Sequence, residues 1–348
     1  MPWHGVLGHD DVVELFRHAL RGGRMASSFL FCGPNGIGKR LFAGRLAQSL
    51  LCSVRPEELL DPCGQCPSCQ QVLAGSHPDL DEVSKPADKS FIPLELLIGD
   101  KEHRMREGLC ANLSLRPYMG GRKIAIINDA DFLNAEGANC LLKTLEEPPP
   151  RSVLILIGSN PARQLPTIRS RCQLVRFRPL DSDLVARLLI EQQIVNDPQE
   201  AQRLAAYSAG SLQRAAQMAD PALWTFRRQL CEQLAHGLCE SVALAQTTLQ
   251  FVEAAGREAS ARRERLRQIV GMATDFYRAL LRRVSGAEPC ADAELAAWVE
   301  QAIAGRQGHP NALATRIERC LDAAEQIDRN ANQSTLVECW IDDLARVG

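Results

Sequence analysis

Apolar positions fall into two regimes along the chain. In the first, short apolar runs alternate with longer stretches at helical spacing. Ser28–Cys32 reads SFLFC and ends in a glycine-rich turn, Ile124–Ile127 reads IAII, Val153–Ile157 reads VLILI, and Gln173–Phe177 forms a fourth run. Short runs of this kind, bounded by turn formers, predict strands buried on both faces. After the first of them, Lys39–Leu51 places Leu41, Phe42, Leu46 and Leu50 at helical intervals. Strands separated by helices predict a parallel sheet covered on both sides, an α/β domain.

The second regime begins near residue 178. Strand signals stop there, and Asp181, Ser182 and Asp183 offer caps for a new helix. Apolar residues then recur at spacings of three and four: Ile269, Ala273, Phe276 and Leu280, and later Ile317, Cys320, Leu321, Ala324 and Ile327. Gly286–Ala291 and Gly305–Pro310 read as breaks between helices. The expected organisation is an α/β nucleotide-binding-like domain over 1–178, a small helical domain over 179–222 and a larger helical domain over 223–348.

Composition narrows the class. The 348 residues are 45% hydrophobic and 24% charged, with a net charge of −2, as in ordinary globular proteins. The chain is no polycation, so contact with DNA is expected through a local patch or through partners. No apolar run approaches the roughly 20 residues of a membrane-spanning helix. The first residues, MPWHGVLGHDD, lack the basic and apolar regions of a signal peptide. The cytoplasm is the expected location.

Three clusters carry candidate chemistry. Gly33, Gly36 and Gly38 lie in GPNGIGKR, which follows the first strand and opens a helix, the arrangement of a phosphate-binding loop with Lys39 as its point charge. Arg40 stands where a Ser or Thr hydroxyl would ligate Mg²⁺, and a guanidinium repels a cation. After the second strand come Asn128 and Asp129, where an ATPase needs a metal-holding Asp and a water-polarising Glu. Three deviations together predict a site that no longer hydrolyses nucleotide. A glycine-rich turn without ligand, and solvated acids at Asp129 and Asp131, are the plainer alternatives. No carboxylate set for two-metal nucleotidyl transfer is visible.

The second cluster lies among the 13 cysteines. Cys52, Cys63, Cys66 and Cys69 read C-x10-C-x2-C-x2-C, a spacing that gathers four thiolates around one structural Zn²⁺. The other nine read as buried thiols. An odd total without an export signal argues against a disulfide framework. His77, nearby, reads as a surface residue. The third cluster is Arg169-Ser170-Arg171, ahead of the fourth strand. An arginine at a domain edge can reach a phosphate in a neighbouring subunit, or can simply be solvated. Asn139–Pro148 reads as an amphipathic helix end that buries Leu141, Leu142 and Leu145 and serves packing or an interface.

The chain resembles the AAA+ subunits of bacterial clamp loaders, relatives of the small subunits of eukaryotic replication factor C. GHDDVVELFRHAL at 8–20, the phosphate loop at 33–40, the cysteines at 52–69, NDADFLN at 128–134, NCLLKTLEEPP at 139–149 and TIRSRC at 167–172 carry the likeness. It is strong over roughly the first 220 residues and faint beyond. The resemblance implies an AAA+ domain with a zinc-binding insertion, a helical lid and a helical collar that assembles a pentamer. That pentamer, with motor subunits (γ or τ) and a δ subunit, places the sliding clamp on primed DNA. It further implies that Arg171 is an arginine finger acting in trans and that the four cysteines hold zinc. In this family a second arginine sensor follows a GSL segment, and here Gln213 follows Gly210-Ser211-Leu212. Arg40, Asn128 and Gln213, with a chain ending at Gly348, point to a non-hydrolysing stator subunit that binds ATP passively or not at all. The competing readings are an active motor ATPase and a zinc-dependent nucleic-acid-binding module. Arg40 weighs against the first. The balanced charge, and the lack of aromatic and basic interleaving around 52–69, weigh against the second.

Overall fold

A computed structural model describes residues 3–119, 121–238, 240–305 and 309–347. Five strands form one parallel sheet: β1 (Ser28–Cys32), β2 (Leu80–Val83), β3 (Lys123–Ile127), β4 (Ser152–Gly158) and β5 (Gln173–Arg176), in the order β2-β3-β4-β1-β5. The four apolar runs are β1, β3, β4 and β5. The sequence reading missed β2, whose LDEV carries two acidic residues and only partial burial. It lies at the sheet edge, paired in parallel with β3 from Leu80↔Ile124 to Val83↔Ile127. An edge strand can leave side chains in water, so it shows no continuous apolar run.

The central strands are buried because helices cover both faces. The helices α1 (Asp10–Arg21), α2 (Lys39–Leu51), α3 (Pro67–Leu73), α4 (Leu94–Ile98), α5 (Leu109–Ser114), α6 (Ala135–Glu146) and α7 (Pro166–Arg169) intervene between and around the strands. Side chains of β1 alternate between two layers. Phe29 and Phe31 pack with Phe16, Phe42 and Phe177, with ring centroids 5.0 to 5.8 Å apart for the closest pairs. Leu30 and Cys32 join Leu97, Leu113, Leu141, Leu154 and Leu156 on the opposite side. Each fully buried phenylalanine contributes roughly 2–3 kcal/mol.

The chain divides into two compact units, Met1–Leu188 with Ala209–Arg214, and Leu189–Ser208 with Ala215–Gly348. The remaining helices are α8 (Ser182–Glu191), α9 (Pro198–Ser208), α10 (Leu212–Met218), α11 (Pro221–Ala235), α12 (Ser241–Glu253), α13 (Ala259–Val284), α14 (Ala293–Ala304), α15 (Pro310–Asp328) and α16 (Gln333–Arg346). In the second unit α13 buries Leu266, Ile269, Ala273, Phe276 and Leu280, the stripe its spacing predicts. The stripe on α15 differs from expectation. Leu321 is exposed, and the buried line runs through Leu313, Arg316, Cys320, Ala323 and Ile327. Arg316 turns the helix: its guanidinium stacks over Tyr277 and donates to the carbonyls of Leu344 and Val347 at the end of α16, where a cation complements the helix dipole.

Arg227 of α11 is also buried. It pairs with Asp292 and Glu294 and lies over the Tyr207 and Trp224 rings. The break at Gly286–Ala291 separates α13 from α14; the one at Gly305–Pro310 includes residues 306–308, outside the described residues. Of the nine scattered cysteines, Cys239 also lies outside them, and Cys339 is exposed rather than buried. Among the described residues no helix is long and apolar enough to cross a membrane.

Candidate functional site

Parallel register brings the carboxyl ends of the strands together. Cys32 pairs with Gly158, Val83 with Ile127, and Ile127 with Leu156. The segments that leave β1, β2, β3 and β4 therefore emerge at one edge of the sheet, the place where open α/β sheets bind ligands.

The phosphate loop leaves β1 there. Gly36 has φ +73°, and a Cβ on it would lie 2.3 Å from Gln213 Cβ and 2.6 Å from Ser211 Oγ. The Gly210-Ser211-Leu212-Gln213 segment thus rests directly on the loop, and Ser211 Oγ donates to Asn35 O at 2.8 Å. From below, buried His9 donates through Nε2 to Ile37 O at 2.7 Å. Lys39 is 6% exposed and folds back, with Nζ 2.5 Å from Gly33 O and 2.6 Å from Pro34 O. Burial brings its ammonium down to about 8, against the opposing pull of Asp131 and Cys32.

Arg40 and Asn128 meet on a residue that the sequence reading missed. Arg40 Nε pairs with Glu82 Oε1 at 2.8 Å, and Asn128 Nδ2 donates to the same oxygen at 2.6 Å and to Ser84 Oγ at 3.1 Å. Asn128 is buried and its Oδ1 has no partner. Glu82 sits on the edge strand that left no apolar signature. Mg²⁺ does not fit this corner: it would need a hydroxyl at 40 and a carboxylate at 128, and finds a guanidinium and an amide. The one carboxylate bonded to both is already neutralised by Arg40.

The two acids after Asn128 behave differently. Asp129 is exposed, with φ +54°, and its carboxylate accepts the Lys85 amide at 3.4 Å. Asp131 is not a solvated loop acid. It accepts Ser159 N at 2.7 Å, Ser159 Oγ at 2.5 Å and Gln164 Nε2 at 2.9 Å. A Cβ at Gly158 would lie 2.6 Å from Asp131 Oδ1, so this glycine lets the carboxylate tie β4 to the turn after β3.

The four cysteines converge. Cys52 ends α2, Cys66 caps α3 and Cys69 lies within α3. Their sulfur atoms and that of Cys63 all lie within 4.8 Å of one another. The Cys63 and Cys69 sulfurs are 3.9 Å apart, close to the roughly 3.8 Å edge of a tetrahedron with metal–sulfur bonds of about 2.3 Å. Amides of Arg55, Cys66 and Cys69 point at the sulfurs of Cys52, Cys63 and Cys66 at 3.3 to 3.4 Å. Burial pushes the Cys66 thiol up, but hydrogen bonds from Ser53 and Cys69 outweigh it and bring it down to about 6. An all-thiolate tetrahedral set of this kind fits one soft metal ion.

His77 is 3% exposed, which corrects its reading as a surface residue. Its Nδ1 accepts the Asp79 amide at 3.0 Å, so Nε2 carries the proton and donates to Ser68 Oγ at 2.8 Å; Ser68 in turn donates to Leu51 O at 2.5 Å. With Gln48 Nε2 on Cys69 O at 3.3 Å, this relay braces the cysteine module on α2 and β2.

Arg171 lies on the connection from α7 to the edge strand β5. Ile168 is fully buried and Cys172 packs against the same core, which turns Arg171 outward. Its Nη2 is 2.6 Å from Glu146 Oε1 at the end of α6, and Nη1 donates to Thr167 O at 3.0 Å. Glu146 was legible only as part of the LLKTLEEPP helix end. Arg169 and Ser170 line a shallow cavity of about 340 Å³ with Pro161, Pro166 and Leu174.

Sheet order, the loop after β1 and the turn after β3 define a P-loop domain of the AAA+ class whose metal corner is filled from within. Residues 8–181 match the family described as DNA polymerase III, delta subunit, and the chain belongs to that family. It is similar to the delta′ subunit of Pseudomonas aeruginosa, 37% identical over 195 residues that cover 55% of each chain. It is also similar to the delta′ subunit of Bacillus subtilis, 34% identical over 53% of this chain and 51% of that one. The tau subunit of Escherichia coli K12 is 30% identical over 63% of this chain and 32% of its own length. The chain therefore spans about half the length of these delta′ relatives. Among solved structures, the clamp loader delta protein of Bacillus subtilis aligns over 96% of this chain at 13% identity and a TM-score of 0.34.

Proposed function

We propose that this chain is the delta′-type stator of a DNA polymerase III clamp loader, a subunit that does not hydrolyse ATP itself. The observation that carries the reading is the Arg40–Glu82–Asn128 corner, where the metal of an ATPase has no place. Similarity to delta′ subunits of two organisms supports it. In this reading the chain works in the cytoplasm with γ or τ motor subunits and a δ subunit, and through them meets the sliding clamp and primed DNA. Residues 1–178 form the AAA+ module, 179–222 the lid and 223–348 the collar. Cys52, Cys63, Cys66 and Cys69 hold one structural Zn²⁺. Arg171 is the arginine finger: outward-facing beside an edge strand, it reaches the γ-phosphate bound by a neighbouring motor subunit. There a guanidinium stabilises the charge that develops during transfer.

The test is ATP hydrolysis by the isolated chain, and by the chain mixed with motor subunits, δ subunit, clamp and primed DNA. The isolated chain should be silent and the mixture active. Arg171→Ala should slow turnover at the adjoining site by roughly a thousandfold. Hydrolysis by the isolated chain, abolished by Lys39→Ala, would move the motor reading ahead, which the similarity to tau also favours.

A further inference from the structure

We propose that the phosphate loop binds a nucleoside polyphosphate without any divalent cation, the Arg40 guanidinium standing where the metal would. This rests on the non-hydrolysing reading above and goes beyond it, because it assigns a ligand and a charge balance to a site that reading leaves idle.

The argument is one of charge. In a metal-dependent loop, carboxylates hold Mg²⁺, and without the ion those carboxylates repel phosphate. Here Asn128 removes that negative charge from the end of β3. Glu82 remains, and Arg40 neutralises it through a bond at 2.8 Å. Lys39 adds a second cation beside it. The corner is thus ready for an anion with no ion added, while a dication would meet Arg40 and find an amide at 128 and a Glu82 carboxylate already paired.

The geometry agrees. Glu82 engages Arg40 through Nε. The side chain is 69% exposed, so the guanidinium stays open to solvent, and its planar fork is the shape that binds two phosphate oxygens at once. Arg40 follows Lys39 at the start of α2, a helix of 13 residues whose N-terminus carries the loop glycines. Lys39 Nζ rests on two loop carbonyls, bonds that phosphate oxygens can replace. Asn128, held on Glu82 and Ser84 with its Oδ1 buried and unpartnered, keeps Glu82 in place as an anchor for Arg40.

The experiment titrates the full chain with a fluorescent N-methylanthraniloyl ADP, in EDTA and in excess Mg²⁺. We expect dissociation constants equal within about twofold in the two buffers. Arg40→Ala should weaken binding in EDTA by roughly tenfold or more, as for loss of a charge-assisted contact. Arg40→Thr combined with Asn128→Asp should make binding depend on Mg²⁺. The proposal is overturned by binding that requires Mg²⁺ in the wild type, by an Arg40→Ala variant that binds unchanged, or by no binding in either buffer. The last two leave the stator reading standing, whereas a Mg²⁺ requirement would also remove the observation that carries it. ATP turnover by the same samples would instead sink that reading.

Discussion

On the proposed reading that Cys52, Cys63, Cys66 and Cys69 hold one structural Zn²⁺, chelating it is expected to loosen one local segment and leave the sheet folded. Without the ion, the segment around α3 keeps three hydrogen bonds to its support: Gln48 to Cys69 O, Ser68 to Leu51 O, and His77 to Ser68. At about 1 kcal/mol each, these total about 3 kcal/mol. A structural zinc ion contributes on the order of 10 kcal/mol, so the ion decides whether the segment holds. Amides from Cys63 to Gly75 should then keep roughly hundredfold protection against hydrogen exchange at most, while β1, β3 and β4 exchange as before. Elemental analysis of the purified chain should find one zinc per molecule, and Cys69→Ser should lose it and reproduce the chelated pattern. A chain that purifies without metal would refute the reasoning. So would a chelated chain whose Cys63–Gly75 amides exchange no faster than before.

Other substitutions test separate parts. Glu146→Gln removes the carboxylate beside Arg171. Because the pair is half exposed, unfolding should shift by less than about 1 kcal/mol, whereas turnover of the mixed clamp-loader complex should fall roughly tenfold as the arginine loses its orientation; equal turnover would exclude a positioning role. Gly36→Ala places a methyl 2.3 Å from Gln213 Cβ at φ +73°, at a cost of about 1–3 kcal/mol for overpacking, read as an earlier urea transition; an unchanged midpoint would mean that 210–213 does not rest on the loop. Burial holds the His77 imidazole below its ordinary value, so the unfolded chain takes up the proton first as pH falls. The stabilisation is complete above about pH 6.5 and declines below it, by at most about 1.4 kcal/mol per pH unit. His77→Gln should flatten that part of the profile, and a profile with the same slope would show that another group is responsible.

Sequence and structure divided the problem along physical lines. Local chemistry was legible in the chain itself. SFLFC, IAII and VLILI marked the buried strands because a strand covered on both faces needs apolar side chains at every position. The spacing of Cys52, Cys63, Cys66 and Cys69 announced a four-sulfur cluster because a tight turn and a short helix bring such residues together without help from distant parts of the chain. Arg40 and Asn128 could be recognised as departures because the loop and strand that carry them have recognisable chemistry of their own.

Only the tertiary structure decided what those departures became. Glu82 lies on a polar edge strand that needs little burial and so left no pattern. It is 42 positions from Arg40 and 46 from Asn128 in sequence, yet one oxygen touches both. His77 looked like a surface residue because a lone polar side chain carries no mark of burial, and its partners Ser68 and Asp79 matter only once α3 and β2 are side by side. Arg316 moved the buried stripe of α15 because distant carbonyls at the end of α16 accept its guanidinium. Glu82 and Arg316 found their partners far along the chain, whereas His77 found its own two and nine residues away, buried only by the packing around them. Spacing cannot encode such a partner, because the distance that matters exists only after the chain has folded.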